Sequence, residues 1–229
     1  MDDATAAGAT RLTDKPFAGD PAWKVVRTLR DGTTVNIRPI APDDRDELRR
    51  EFQHTSPQTR YLRFLGVVGE LTDATLTYLT SVDQKDHVAL VATITSPDLK
   101  IERGVGVARF IRLKDAPDAA EAAITVADDM QKRGIGAALA HEIERAAAVR
   151  GIRVIRAEVL EGNAAMRAIL EGAGAERVDA GDSPGTLSYD ITIHAPPAPS
   201  RFAEILRGAA QTMAMAMSIR KLAPPDSDA

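Results

Sequence analysis

The stretch VADDMQKRGIGAALAHEI, Val126–Ile143, decides how the chain is read. Two glycines, Gly134 and Gly136, follow a polar, basic run and precede residues of helical period. Ile135, Leu139, Ile143 and Ala146 or Ala147 fall on one helical face. Just upstream, AEAAITVA (Ala120–Ala127) has the composition of a buried strand. The local order is therefore strand, turn, glycines, helix. A helix N-terminus presents unpaired amides and the positive end of the helix dipole, so it attracts anions. Glycines remove Cβ atoms and let a phosphate approach the backbone, and Gln131, Lys132 and Arg133 add donors at the rim. Spacing alone leaves two readings open: an anion site, or an ordinary glycine-rich helix start.

Two nucleotide-binding motifs compete for the same residues. GIGAAL supplies two of the three glycines of a dinucleotide fingerprint, and Glu158, at the end of the next strand, mimics its ribose-binding acid. That fingerprint needs the strand to run directly into the first glycine, whereas DDMQKR intervenes here. A P-loop needs Gly-Lys-Ser/Thr after four spacer residues, which this stretch lacks.

Outward from the glycines, the periodicity alternates between strand and helix. WKVVRTLRDGTTVNIRPI (Trp23–Ile40) has two β-rich runs around Asp31-Gly32, a hairpin signal. APDDRDELRREFQHT reads as a helix with Pro42 in its first turn, and Leu48 and Phe52 on one face. SPQTRYLRFLG begins a second helix with Ser56 as N-cap, and LTDATLTYLTSV a third. HVALVATI (His87–Ile94) reads as a buried strand, and GVGVARFIRL (Gly104–Leu113) as a half-buried one. After the glycine helix, IRVIRAEV (Ile152–Val159) is a strand, Asn163 opens a helix that exits at Gly174, and two strands follow near 175–179 and 186–193. Consecutive strands ahead of a βαβ-like unit imply a mixed sheet, an α+β fold with helices flanking it.

Composition narrows the function classes. The 229 residues include no cysteine, which excludes disulfides, thiolate metal sites and cysteine nucleophiles and suits a reducing cytoplasm. No apolar run approaches the roughly 18 residues of a membrane span, and residues 1–22 lack the order of a secretory signal. A net charge of −4 gives no reason to expect nucleic acid as a partner. Residues 1–22 read as a disordered arm, and 195–229 as a Pro-rich linker followed by an amphipathic helix. Met213, Met215 and Met217 on that helix suit either packing on the chain's own core or a homodimer contact.

QKRGIG (Gln131–Gly136) resembles the Gln/Arg-x-x-Gly-x-Gly/Ala signature of the GCN5-related N-acetyltransferases, the GNAT superfamily. RGIRVIRAEVLEGNAAMRAILEGAGAERV (Arg150–Val178) is similar to that family's next strand and helix. IRPIAPDDRDELRREFQHTSPQTRYLRFLG and VDQKDHVALVA resemble a narrower branch, the Pat-type bacterial protein lysine acetyltransferases. The resemblance implies one acetyltransferase domain over 23–194, with a mostly antiparallel mixed sheet splayed open beside Ala120–Ala127. It implies acetyl-CoA as co-substrate and no metal. Ile124, Thr125 and Val126 would flank the pantetheine arm, and Gln131, Lys132, Arg133, Gly134, Ile135, Gly136, Ala137 and Ala138 would hold the diphosphate. Asn163 and Met166 would complete the cofactor contacts. It also implies a protein substrate bearing the acceptor lysine, with an acyl-CoA synthetase as a candidate. Pat-type enzymes often carry a fused regulatory domain, for which the 22 residues before Trp23 and the 35 after His194 leave no expected room.

The chemistry needs a neutral amine. A lysine of pKa about 10.4 is neutral in roughly one molecule in 2,500 at pH 7, so a general base helps. Glu121, a carboxylate inside an apolar strand, matches the branch's catalytic glutamate; its alternative is structural pairing with an arginine. Glu158 is the second candidate, to bind the amine or relay a proton, with the same alternative. Asn163 is equally a plain N-cap, and His87 reads as structural. Many family members place a tyrosine acid where this chain has Leu170, and a phenylalanine where it has Ala175. Acetylation of a small amine, and a non-catalytic acetyl-CoA sensor, are the competing functions.

Overall fold

The computed structural model describes residues 15–54, 71–95, 102–172, 174–179 and 184–193. The expected helix at Ser56, the Pro-rich linker, the C-terminal helix with its methionines and the first fourteen residues lie outside them. β1 (Val25–Thr28) and β2 (Thr34–Pro39) form the expected hairpin, with Thr28 opposite Thr34. Leu29 N donates to Thr33 O, Gly32 N donates to Leu29 O, and Gly32 has φ 83°. Asp31-Gly32 thus closes a three-residue loop whose last position is left-handed, which glycine adopts without strain.

Pro42–Asp44 form a 3₁₀ turn that leads into α1 (Arg45–His54), and α2 (Asp73–Thr80) is capped by Thr72, whose hydroxyl accepts Thr75 N at 3.1 Å. Three strands then run as an antiparallel meander: β3 (His87–Thr95), β4 (Glu102–Arg112) and β5 (Ala119–Val126). α3 (Ile135–Ala148) carries the chain over to β6 (Val154–Leu160), which lies parallel to β5. α4 (Ala164–Gly172), β7 (Glu176–Val178) and β8 (Thr186–Thr192) complete the unit. The eight strands are ordered β1-β2-β3-β4-β5-β6-β8-β7, antiparallel except at β5–β6. This is the mixed sheet expected from the sequence. Gly174, with φ 75°, ends α4 as read, and Ala175 N returns to Leu170 O at 2.9 Å.

The sheet has a core on each face. Ala120, Ala122, Ile124 and Val126 of β5 meet Ile135, Leu139 and Ile143 of α3 on one side. Ala123 meets Leu48 and Phe52 of α1 and Leu76 and Leu79 of α2 on the other. β4 was expected to be half-buried, but Val107–Phe110 are buried on both faces because helices cover both. α3 lies so close that a Cβ on Gly106 would sit 2.9 Å from Leu139 Cδ1 and 2.9 Å from Thr125 O. Only glycine fits there.

Two buried polar groups organise this packing. Glu142 of α3 is fully buried and accepts from Arg27 of β1 (Nε at 3.0 Å, and Nη2) and from Arg145 Nη1 at 3.4 Å. It ties the hairpin to the helix. Arg109 of β4, 1% exposed, sends both terminal nitrogens to Leu79 O at the end of α2, where a helix's carbonyl terminus favours a cation. Its Nη1 also donates to His87 Nε2 at 3.2 Å, so the imidazole is the neutral Nδ1–H tautomer. The Tyr78 ring packs 5.2 Å from that imidazole. Residues 15–22, read as part of an arm, pack on the body: Phe17 is fully buried and Trp23 Nε1 donates to Lys15 O at 2.9 Å.

Removing a partner from a buried ion pair leaves an uncompensated charge. Glu142→Ala is expected to lower stability by roughly 3 kcal/mol, the lower end for such losses because Arg27 is partly exposed; urea unfolding reads this directly. Burial, and then the Arg109 charge, lower the His87 pKa from 6.5 to about 3. Between those values the unfolded chain holds a proton that the folded chain does not, so stability is present above pH 6.5 and is lost as pH falls toward 3. Urea titrations at pH 7, 6, 5 and 4 are expected to show a shallower acid loss for His87→Gln than for the unsubstituted protein. The difference cannot exceed about 1.4 kcal/mol per pH unit for one proton, and identical slopes would count against this origin.

Candidate functional site

β5 and β6 touch over three residue pairs only: Ala119–Val154, Ala120–Ile155 and Glu121–Arg156. Beyond Glu121 each strand keeps its outer partner, β5 with β4 as far as Val126–Gly106, and β6 with β8 as far as Leu160–Thr186. The two inner edges therefore diverge and leave a V-shaped cleft in the sheet. Ile124, Thr125 and Val126 lie on the β5 side of it, with Ile124 and Val126 turned to the α3 core and Thr125 to the opposite face. A ligand carrying amide groups can pair with such an edge as an added strand does.

The anion loop stands at the open end of this cleft. From Val126 the chain makes a 3₁₀ turn at Asp128–Met130, and Lys132 (φ 63°) and Gly134 (φ 97°) both take the left-handed conformation. Gly134 is the N-cap of α3, and Ala138 N bonds back to Gly134 O at 3.0 Å. The amides of Ile135, Gly136 and Ala137 precede that bond and have no carbonyl one helical turn behind them. Two of the rim donors brace the loop. Gln131 Nε2 donates to Val126 O at 3.3 Å and to Asp128 Oδ1 at 2.9 Å. Arg133 pairs with Asp31 of the β1–β2 hairpin at 2.8 Å, and its Nη1 lies 3.2 Å from Met130 Sδ. The Thr33 backbone amide, and then Arg133, hold the Asp31 carboxyl below its ordinary range. Lys132 is exposed.

Glu121 sits at the fork. It is fully buried, and strand alternation places it with Ala123 and Thr125 on the α1–α2 face. Its neighbour across the parallel pair, Arg156, grips Asp190 of β8 with two bonds of 2.7 and 2.8 Å. Glu158 lies two residues along β6 from Arg156, on the same face, and is 7% exposed. The two candidate carboxylates thus face the same side of the sheet from opposite banks of the cleft. Asn163 Oδ1 accepts Met166 N at 3.2 Å, so this asparagine is an N-cap of α4. Met166 and Leu170 are both fully buried in the main core. Tyr189 of β8, which faces α4, donates its hydroxyl to Glu171 at 2.8 Å, and burial raises its phenol pKa.

Sequence reading missed the partners rather than the residues. His87 was read without one, yet the signal existed: Arg109 interrupts the apolar run GVGVARFIRL and had to find an acceptor inside. Asp31 had no visible reason to matter beyond its turn, and it holds Arg133. Among the described residues no three His, Asp or Glu side chains converge as metal ligands, and no helix is long and apolar enough to cross a membrane.

Comparison with known proteins bears on this geometry. Residues 34–176 match the model of the acetyltransferase (GNAT) domain. An acetyltransferase of Pseudomonas aeruginosa is 34% identical over 142 residues, which are 62% of this chain and 75% of that protein. The acetyltransferase Pat of Mycolicibacterium smegmatis is 35% identical over 147 residues, 64% of this chain but 43% of that longer protein. The GNAT domain of S. lividans PAT superposes with a TM-score of 0.65 at 31% identity, covering 76% of this chain and 99% of that one. A structure from Salmonella typhimurium solved with its cofactor acetyl-CoA shares the fold, with a TM-score of 0.52 at 16% identity over 72% of this chain and 97% of that one. GNAT domains bind acetyl-CoA, and an elongated ligand with an anionic end and an amide-bearing arm fits the loop and cleft described above. The chain is a member of the GNAT acetyltransferase family, an N-acetyltransferase that shares its fold with the S. lividans PAT domain.

Proposed function

We propose that this chain acetylates lysine ε-amines of proteins, with Glu121 as general base. The observation that carries the reading is the place of Glu121: a fully buried carboxylate on the last residue of β5 that still pairs with β6. A base at that point lies where the cleft closes, and burial excludes the water that would otherwise compete for the proton. Acetyl-CoA, when bound, supplies an acetyl group already activated as a thioester.

The chain's own groups divide the remaining work. Glu121 takes the proton that the lysine ammonium must lose before it can attack. Glu158, across the cleft, attracts the incoming ammonium. Backbone amides on the β5 edge between Ala122 and Val126 serve as donors to a carbonyl oxygen gaining charge. Ile124, Thr125 and Val126 orient the pantetheine arm, and Asn163 limits it from the α4 side, while Met166, expected as a further contact, packs in the core behind it. The amides from Gly134 to Ala138, with Gln131, Lys132 and Arg133, hold the diphosphate. Arg133 leaves Asp31 to do so. Leu170 carries no exchangeable proton, so its position contributes packing and not acid catalysis, and the thioester C–S bond breaks with CoA leaving as the thiolate. The resemblance to Pat-type enzymes supports a protein lysine as acceptor, and an acyl-CoA synthetase is the first protein to try. A cytoplasmic setting agrees with such a substrate.

Thiol release from acetyl-CoA, followed with lysine peptides, an acyl-CoA synthetase and a panel of small amines, tests the reading. Release with protein or peptide lysine is the expected result. Release with small amines alone would remove the lysine assignment, and tight acetyl-CoA binding with no release would make the protein a sensor. Glu121→Gln is expected to reduce turnover by about 10²–10⁴-fold while leaving the calorimetric Kd for acetyl-CoA unchanged. Near-normal turnover at saturating peptide would refute the general-base role. Arg133→Ala is expected to raise that Kd roughly tenfold, because a charge-assisted contact is lost.

A further inference from the structure

We propose that a cavity beneath α1 is a subsite for a basic side chain of the acceptor protein, one that flanks the lysine being acetylated. The proposal rests on the protein-lysine reading above. The cavity has a volume of about 240 Å³ and lies between α1, with the 3₁₀ turn before it, and the sheet from β2 to the end of β5. That is below the roughly 300–1,000 Å³ of small-molecule sites and suits a single long side chain.

Its walls are acidic. Asp43, Asp44, Glu47, Glu51 and Glu102 line it, against the guanidiniums of Arg38 and Arg50. Arg38 is taken up by Asp44 through two bonds of 2.8 Å, and Arg50 by Glu47. Glu51 receives Arg103 at 3.2 Å. Asp43 is exposed, and Glu102 is held loosely, 3.6 Å from Arg38 and 3.8 Å from Lys24. Negative charge therefore remains in excess.

Thr93 gives independent evidence for a ligand. It lies on β3 in the cavity wall, is 2% exposed, and its hydroxyl has no hydrogen-bond partner. Buried hydroxyls are ordinarily satisfied, so this one requires an explanation. A donor entering the cavity supplies it. The carboxylates accept only, and the Thr93 hydroxyl can accept as well. The matching ligand is a cation with several N–H groups, a guanidinium or an ammonium.

Position links the cavity to the acceptor. Thr125 lines it and shares a face of β5 with Glu121, four residues away. At about 3.3 Å per residue the separation is about 13 Å. An extended peptide spans that distance in about four residues. An arginine or lysine three to five positions from the target lysine therefore reaches the cavity while the target amine lies at Glu121.

Lysine peptides with one arginine placed at each offset from one to seven, on either side, test this. An arginine at offset three to five on one side is expected to lower KM about five- to tenfold with kcat unchanged. Thr93→Val should abolish that gain without raising KM for the peptide lacking arginine. It should also leave the urea midpoint unchanged or higher, since it replaces an unpartnered hydroxyl with a methyl group. The double variant Asp43→Asn, Glu102→Gln should abolish the gain independently. A KM insensitive to arginine position, or a gain that survives in both variants, would overturn the subsite. Failure of every peptide while small amines are acetylated would instead overturn the lysine reading, and the subsite with it.

Discussion

The site depends on how short the parallel contact between β5 and β6 is. Three residue pairs join the strands, and then they part. Each strand stays paired on its other side, and the parting leaves an unpaired inner edge on both. α3 carries the chain from the end of β5 to the start of β6, and its N-terminus sits against the open end of the fork. The fork thus brings together an unpaired backbone edge, an amide-rich helix start and a buried carboxylate at the point of divergence. None of the three needs the others for its chemistry, but the crossover places all of them along one line.

Much of this was legible because it is local. Apolar runs and their periods located β3, β5, β6 and α3, with boundaries off by one or two residues. The glycine loop was legible because its residues are contiguous, and Asp31-Gly32 because the turn lies within a few positions. What escaped was set by approach between distant segments. Gly106 looks like any strand glycine until α3 is laid 2.9 Å from its missing Cβ. Glu142 does not belong to the apolar stripe of its helix, yet the β1–β2 hairpin covers that flank and brings Arg27 to it. Arg109 and His87 are 22 positions apart in sequence and neighbours across the β3–β4 ladder, where strand register brings them together. The candidate bases were visible as carboxylates in apolar strands, but their shared face follows only from the register of β5 against β6.

The two faces of the sheet carry different kinds of stabilisation. The α3 side is a continuous apolar core with one buried ion-pair cluster at Glu142, whereas the α1 side mixes small apolar clusters with several partly exposed arginine–carboxylate pairs. Arg103 illustrates the second kind: it bridges Glu51 of α1 and Asp129 of the turn that leads into the glycine loop. Its guanidinium, whose pKa is raised chiefly by the hydrogen bonds to Asp129 and then by Glu51, couples the position of α1 to that of the loop. Exposed pairs contribute little each, so this face is more adaptable than the other.

Arg150, just after α3, donates to Phe17 O at 2.7 Å, to Ala146 O at 2.7 Å and to Gln84 O at 2.9 Å. Its guanidinium also stacks 5.1 Å from the centre of the Phe17 ring. One side chain thus fastens three separate segments, and the first of them precedes every strand. The packed body of the domain therefore begins ahead of Phe17. A version trimmed to Trp23 would lose the buried Phe17 ring from the core and take one of three carbonyl acceptors from the half-buried Arg150, rather than shed a tail.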